Sequence, residues 1–307
     1  MDATPSVPLA EGFPAGLPVV PPAPLAIGRR WFPWGDRTFL MGIINVTPDS
    51  FSGDGLLAGH PDPVAAAVEQ ARAMAGEGAD LLDIGGESSR PGHTAVPEGE
   101  ELDRVIPVIA AIREALPEIP LSVDTIKPRV AEAAVDAGAD LINDVWGVAQ
   151  RTELAEVAAT LGVPIILMHN RAEARYRSVV AEVIADLARA LDIATKAGVA
   201  WERIIVDPGI GFGKTAAHNL RMLAELGALR TLGRPLLFGM SRKSTIGRVL
   251  DLPADQRVEG TLATTALAIA QGADIVRVHD VEQNRRAARM ADAVVRAPRD
   301  LREEERP

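Results

Sequence analysis

The sequence predicts a (β/α)8 barrel, the TIM-barrel architecture, and three observations carry that expectation. Short apolar runs of strand length alternate with alanine-rich helical patterns through nearly the whole chain. Eight such runs occur, which is the strand count of the barrel. Each ends on a polar or charged group: Asn45, Asp83, Asp124, Asn143, His169, Asp207, Lys243, and Arg277 with His279. Desolvating such groups costs free energy unless they are paired. Eight ends of this kind therefore fit strands that open onto one shared, partly solvated cavity at their carboxyl ends. A doubly wound open sheet is the competing arrangement, but it would gather its ligand groups at a single switch point.

The strands are justified one by one. Three segments are near copies, GADLLDIGG (78–86), GADLINDVWG (138–147) and GADIVRVHD (272–280). In each, glycine stands where a helix ends in the left-handed conformation, and a buried strand follows. GVPIILMHN (162–170) and GVAWERIIVDPG (198–209) are looser versions, and TFLMGIIN (38–45), LSVD (121–124) and RPLLFGMS (234–241) complete the eight. Helical periodicity separates them, for example over 63–78, 100–116 and 179–198. Regular alternation of this kind implies parallel strands joined by right-handed crossovers.

The boundaries follow from composition. Residues 31–298 are expected to form the one barrel domain; its size is ordinary for that fold. Residues 1–30, with seven prolines between Pro5 and Pro24, read as an extended or disordered arm, and residues 299–307 as a charged tail. The arm lacks the basic start and apolar stretch of a signal peptide, and no run is long enough to span a bilayer. Cysteine is absent, so neither a disulfide framework nor a thiolate metal site is available. A cytoplasmic setting is the matching expectation. A net charge of −10 argues against nucleic acid as a partner. It does not exclude an anionic substrate, because Arg90, Arg242, Lys243, Arg277 and His279 can line a local cationic cleft.

Individual motifs narrow the chemistry. DPGIGFGKT (207–215) is not a phosphate-binding P-loop, since Pro208 stands where its first glycine belongs. Nor is it a dinucleotide fingerprint, because Lys214 replaces the third glycine. It reads as a glycine-rich turn that lets the backbone pass close to a ligand while Asp207 binds. Asp83, Asp124, Asn143 and Asp207 each fit a helix cap taken singly; four at matching strand ends fit the donor and acceptor edge of a planar heterocycle better. Lys243, at the end of the seventh strand, is expected to touch ligand. Arg277 and His279 alternate along the last strand, so they share a face suited to phosphate oxygens. His169 is expected to be structural. No spacing links the histidines as metal ligands. The connections 46–62 and 87–98, rich in Gly, Pro and Ser, are expected to act as mobile lids.

Seven segments in one order, MGIINVTPDSFSGDG (41–55), DIGGESSRPG (83–92), SVDT (122–125), INDVWG (142–147), DPGIGFGK (207–214), GMSRKS (239–244) and RVHDV (277–281), resemble the dihydropteroate synthase family. The resemblance runs from about Trp34 to about Val295. It implies a transferase that condenses para-aminobenzoate with 6-hydroxymethyl-7,8-dihydropterin diphosphate, releasing pyrophosphate. It implies a pterin pocket of Asp83, Asp124, Asn143, Asp207 and Lys243. It implies that Asn45 holds Mg²⁺ with the diphosphate, which Ser89, Arg90, Arg277 and His279 also bind. It places Ser89, Pro91, Phe212 and Ser244 beside para-aminobenzoate and makes Arg277, His279, Lys243 and Asp124 the catalytic set. It also implies a homodimer formed through the late helices. Ser89 stands where the family commonly has threonine, which keeps the hydroxyl and removes a methyl. A pterin-dependent methyltransferase domain would not need Arg277 and His279, and a catalytically silent pterin-binding paralogue would show gaps at these positions.

Overall fold

The computed structural model describes residues 21–47, 62–87, 95–147 and 152–296. Its first elements are β1 (Leu25–Ile27) and β2 (Arg30–Phe32), an antiparallel pair in which Leu25 faces Phe32. The proline-rich arm expected to run to residue 30 therefore ends earlier. Once the prolines stop at Pro24, alternating apolar residues allow a hairpin whose Leu25, Ile27 and Phe32 are buried. Residues 1–20 and the expected tail at 299–307 lie outside the described residues.

Eight parallel strands follow: β3 (Phe39–Asn45), β4 (Leu81–Gly85), β5 (Leu121–Asp124), β6 (Leu141–Asp144), β7 (Ile165–Met168), β8 (Ile204–Asp207), β9 (Leu237–Phe238) and β10 (Ile275–Val278). Their spatial order runs from β8 back through β3 to β10 and β9. The remaining gap is closed by a parallel bridge between Val206 and Leu236, with Val206 N–H donating to Pro235 O at 3.0 Å. The sheet is thus a closed barrel and not a doubly wound sheet. β9 is shorter than the run 234–241 suggested, because Pro235 has no N–H to give to a ladder.

The helices are α1 (Pro63–Glu77), α2 (Glu98–Ala115), α3 (Pro128–Asp136), α4 (Glu153–Leu161), α5 (Val179–Lys196), α6 (Ala216–Ala224), α7 (Ser244–Leu250), α8 (Val258–Ala270) and α9 (Val281–Val295). Local chemistry starts them. Asp62 caps α1 by accepting from Ala65 N–H ahead of Pro63, and Thr215 and His218 form a reciprocal cap on α6. Among the described residues, no helix is long and apolar enough to cross a membrane.

Period-two alternation divides the apolar residues into two bodies. One set, including Leu40, Ile44, Leu82, Val123, Leu167 and Val276, faces outward and packs with the helices. The other, Met41, Leu81, Leu141, Ile166, Ile205 and Ile275, points inward and joins the hairpin's Leu25, Ile27 and Phe32 together with Trp34 and Phe39. The hairpin therefore plugs the amino-terminal end of the barrel. Phe32 stacks on Trp34 at 5.6 Å and meets Phe39 at 4.8 Å between ring centres. Burying each such side chain contributes about 1.5–3 kcal/mol.

The three GAD repeats share one structural device at this same end. The N–H of Asp80 donates to Leu40 O, and Leu40 N–H returns to the Asp80 carboxylate at 2.9 Å. Asp140 does the same with Leu121, and Asp274 with Leu236, each return bond again 2.9 Å. Arg37, Arg113 and Arg296 supply the matching charges. Each aspartate thus satisfies an N–H of the neighbouring strand that the ladder leaves over.

Candidate functional site

One step further along each strand, the inward positions change from apolar to polar. Counting by two from the plug's partners gives Ile43 and Asn45 on β3, Asp83 on β4, and Ser122 and Asp124 on β5. It continues with Asn143 on β6, Met168 on β7 and Asp207 on β8, then Gly239 just beyond β9 and Arg277 and His279 at β10. The change of layer opens a slot at the carboxyl-terminal end of the barrel. Asp124, Asn143, Asp207, Lys243, Arg277 and His279 line it with Ile43, Val145, Met168, Phe212, Gly239 and Ser241. The polar groups reach the slot from several strands, and Ile43, Val145, Met168 and Phe212 supply apolar surface. That combination suits a flat ligand with a hydrogen-bonding edge.

The floor is an ion cluster. Arg277 Nε donates to Asp83 Oδ2 at 2.6 Å and its Nη2 to Asp124 Oδ2 at 3.0 Å, while Asn143 Nδ2 donates to Asp83 at 3.1 Å. Asp83 has no solvent exposure and lies beneath the cavity, outside its lining. Strand β4 places it one level lower than Asp124, where it orients Arg277 and Asn143. Burial and the neighbouring Asp83 charge push Asp124 up to about 8, against the pull of Arg277. Burial also raises Asp207, opposed by Lys243 and by Gly209 N–H, which donates to Oδ1 at 2.7 Å. Burial works to lower Arg277, but Asp83 and Asp124 outweigh it and raise it.

Two loops complete the wall. Lys243 precedes α7; its Nζ donates to Ile210 O at 2.5 Å and lies 4.7 Å from the centre of the Phe212 ring. His279 is held by Ser241, whose Oγ is 2.9 Å from Nδ1 and accepts the His279 N–H at 3.2 Å. Ser244 is exposed on the first turn of α7 and outside the cavity lining. Arg242, expected in the cationic cleft, instead grips Asp280 through Nε at 3.0 Å and Nη2 at 2.5 Å. Asn45 ends β3 at the rim. Ser89, Arg90 and Pro91, and most of both expected lids, lie outside the described residues.

The glycine-rich turn after β8 differs from its expected role. A side chain at Gly209 (φ +67°) would place its Cβ 1.8 Å from His169 O, and one at Gly213 (φ +52°) would come 2.1 Å from Arg171 O. These glycines let the turn interlock with backbone and do not serve ligand approach. His169 is structural, as expected: it is buried, with Nε2 3.0 Å from Asp186 and Nδ1 2.9 Å from Lys214 Nζ.

Sequence reasoning missed Ile43, Val145, Met168, Gly239 and Ser241 as lining. Ile43, Met168 and Gly239 were within reach of the same count by two; Val145 and Ser241 depend on how their loops turn. Among the described residues, no three carboxylate, imidazole or thiolate groups converge on a common point.

Residues 41–279 match the family model described as pterin binding enzyme. The chain is 49% identical over 273 residues to dihydropteroate synthase of Clostridium beijerinckii, covering 89% of this chain and all of that one. It is 51% identical over 260 residues to the Bacillus subtilis dihydropteroate synthase, covering 85% and 90% of the two chains. The solved dihydropteroate synthase from Clostridium difficile, crystallised in the presence of pteroic acid, superposes with a TM-score of 0.82 at 45% identity, over 86% of this chain and 99% of that one.

Proposed function

Because the chain belongs to the dihydropteroate synthase family of pterin-binding enzymes, it is a transferase joining para-aminobenzoate to 6-hydroxymethyl-7,8-dihydropterin diphosphate, and we propose that the cavity described above carries out this condensation. The observation that carries the assignment of the site is the convergence of Asp124, Asn143, Asp207 and Lys243 on one slot with apolar surface beside them. In this reading those four groups hold the edge of the pterin ring. Arg277 and His279 meet the diphosphate, with Ser89 and Arg90 from the second loop. Phe212 and Pro91 border the aminobenzoate, with Ser244 at the rim.

The chemistry follows from charge. The methylene carbon–oxygen bond breaks, its electron pair leaves with pyrophosphate, and positive charge spreads into the pterin. Arg277 and His279 stabilise the departing anion as its charge grows, typically the largest contribution in such catalysis. Asp207, and Asp124 in its ionised form, offset the cation. The lone pair of the arylamine nitrogen then forms the new carbon–nitrogen bond, and the nitrogen loses its proton. No residue need form a covalent intermediate.

The residues present suit Mg²⁺ carried on a diphosphate. That ion keeps several waters and substrate oxygens and needs few protein ligands, so the neutral amide oxygen of Asn45 is a fitting donor where the described residues form no carboxylate cage. When bound, Mg²⁺ would supply further charge neutralisation for the leaving group. A cytoplasmic homodimer is part of the same reading. Leu267 on α8 and Met290 and Val294 on α9 are exposed apolar residues on two helices that pack together, which supports an interface there. Light scattering showing a monomer at micromolar concentration removes the dimer.

The direct test is to mix purified protein with Mg²⁺ and both substrates and measure pyrophosphate. Release that depends on para-aminobenzoate and yields dihydropteroate is expected. Tight pterin binding without turnover would instead fit a silent paralogue.

A further inference from the structure

We propose that Lys214 is a positioning residue for the arylamine substrate, clamping the 209–213 turn from behind so that Phe212 presents a fixed wall to the aminobenzoate ring. This rests on the placement of Phe212 beside that ring in the reading above. Lys214 is outside the cavity lining, and nothing in the family reaction itself calls for it.

Its ammonium group is fully used. Nζ donates to Gly209 O at 3.0 Å, to Phe212 O at 3.1 Å and to His169 Nδ1 at 2.9 Å. Three acceptors match the three N–H bonds of a lysine, a set that a planar guanidinium cannot copy in this geometry. Asp186 Oδ2 lies 3.0 Å from the other ring nitrogen of His169 and accepts from Arg171 at 2.9 and 2.7 Å. A carboxylate can only accept there, so His169 carries its proton on Nε2 and offers Nδ1 to Lys214. The chain Asp186–His169–Lys214 thus runs from α5 to the turn.

The turn is held at several other points as well. Phe212 N–H donates to Gly209 O at 3.1 Å, Gly211 N–H to Asn219 at 2.9 Å, and Tyr176 Oη donates to Gly213 O at 2.9 Å. Lys243 reaches Ile210 O from the cavity side. Two lysines therefore fix one turn from opposite sides, and only Lys243 faces the cavity. A turn anchored through this many backbone groups presents its side chain in one place, and small misplacements of a binding wall cost activity steeply.

The charged and titratable groups facing Lys214 are Asp207, Lys243, Arg171, Asp186, His169 and, beside His169, Tyr176. Burial, with Lys243 and Arg171 acting against the pull of Asp207, brings Lys214 down to about 7. The neutral amine has two N–H bonds for three acceptors, so the clamp loosens as pH rises through that value.

The experiment measures KM for each substrate and kcat, from pH 6 to pH 8.5, in wild type, Lys214→Met, Tyr176→Phe and Phe212→Ala. Lys214→Met is expected to raise KM for para-aminobenzoate about tenfold at pH 6, with KM for the pterin diphosphate nearly unchanged. The ratio of variant to wild type should shrink toward one by pH 8.5; a ratio cancels titrations elsewhere in the cavity. Tyr176→Phe, which leaves the lysine in place, should raise the same KM about twofold to threefold even if Lys214→Met folds poorly. An unchanged aminobenzoate KM in Lys214→Met while Phe212→Ala raises it overturns the clamp alone. An unchanged KM in Phe212→Ala overturns the placement of Phe212, and the clamp with it. Equal effects on both substrates, at every pH, show a merely structural lysine and also overturn the proposal.

Discussion

Asp80 and Asp83 stand three residues apart around one strand and live in opposite chemistries. Asp80, like Asp140 and Asp274, sits at the amino-terminal end of the barrel, takes a backbone N–H from the neighbouring strand and lies near an arginine. Asp83 and Asp124, at the other end, share the single Arg277, and burial pushes Asp124 up to about 8. The lower aspartates complete the ladder and stabilise the fold. Of the upper pair, Asp124 is pushed up by burial and by the Asp83 charge against the pull of Arg277, a cation that a substrate can also use. The difference is between charge that is fully matched and charge left partly open, and it separates structural from functional carboxylates without reference to sequence motif.

The comparison is open to attack. Arg277→Ala should cut kcat by about 10²–10³-fold, because the leaving group loses its main cation. It should also destabilise the protein by about 3–5 kcal/mol, since Asp83 would remain buried without its partner. The 2.6 Å contact to Asp83 is what ties the fold to this residue. Steady-state kinetics with chemical denaturation measure both, and a stable variant would show that Asp83 is not charged.

Phe32→Ala should cost about 3–5 kcal/mol by emptying part of the plug, with kcat unchanged below its melting range. A large loss of turnover in a folded Phe32→Ala protein would mean that the two ends are coupled. Asp140→Ala should cost less, about 1–3 kcal/mol, by orphaning Leu121 N–H and removing the ion pair to Arg113. Again kcat should hold; calorimetry beside an activity assay decides it.

A further test is of pH dependence. Asp124 binds its proton more tightly when folded, at about 8, than unfolded, near 4. The folded state therefore carries the extra proton in that window, and the stability due to this group falls as pH rises from about 4 to 8. Asp124→Asn removes the decline. Its melting temperature relative to wild type should climb between pH 5 and pH 8, and a constant difference would mean that Asp124 titrates in the ordinary carboxylate range.

The eight strands, the closed ring and the cavity residues Asp124, Asn143, Asp207, Lys243, Arg277 and His279 were legible because they rest on local repetition. Alternation fixes which residues point inward, and polar strand ends mark where the inward face meets solvent. What escaped the sequence depends on depth and on contacts between distant segments. Asp83 reads like Asp124 along the chain, yet the stagger of neighbouring strands puts it a level lower. Arg242 reads like Lys243, yet it turns to Asp280. Lys214 reads as a failed nucleotide motif, and only the approach of the end of β7 reveals His169 as its third partner.

By itself the sequence determined the barrel, the end that carries the chemistry and the residue types gathered there, since periodicity and strand-end polarity act over a few neighbouring residues. The tertiary structure alone decided which carboxylates are matched and which are poised, and which cation serves which anion. Those outcomes depend on burial and on distances of about 3 Å between groups far apart in the chain, and no local pattern encodes them.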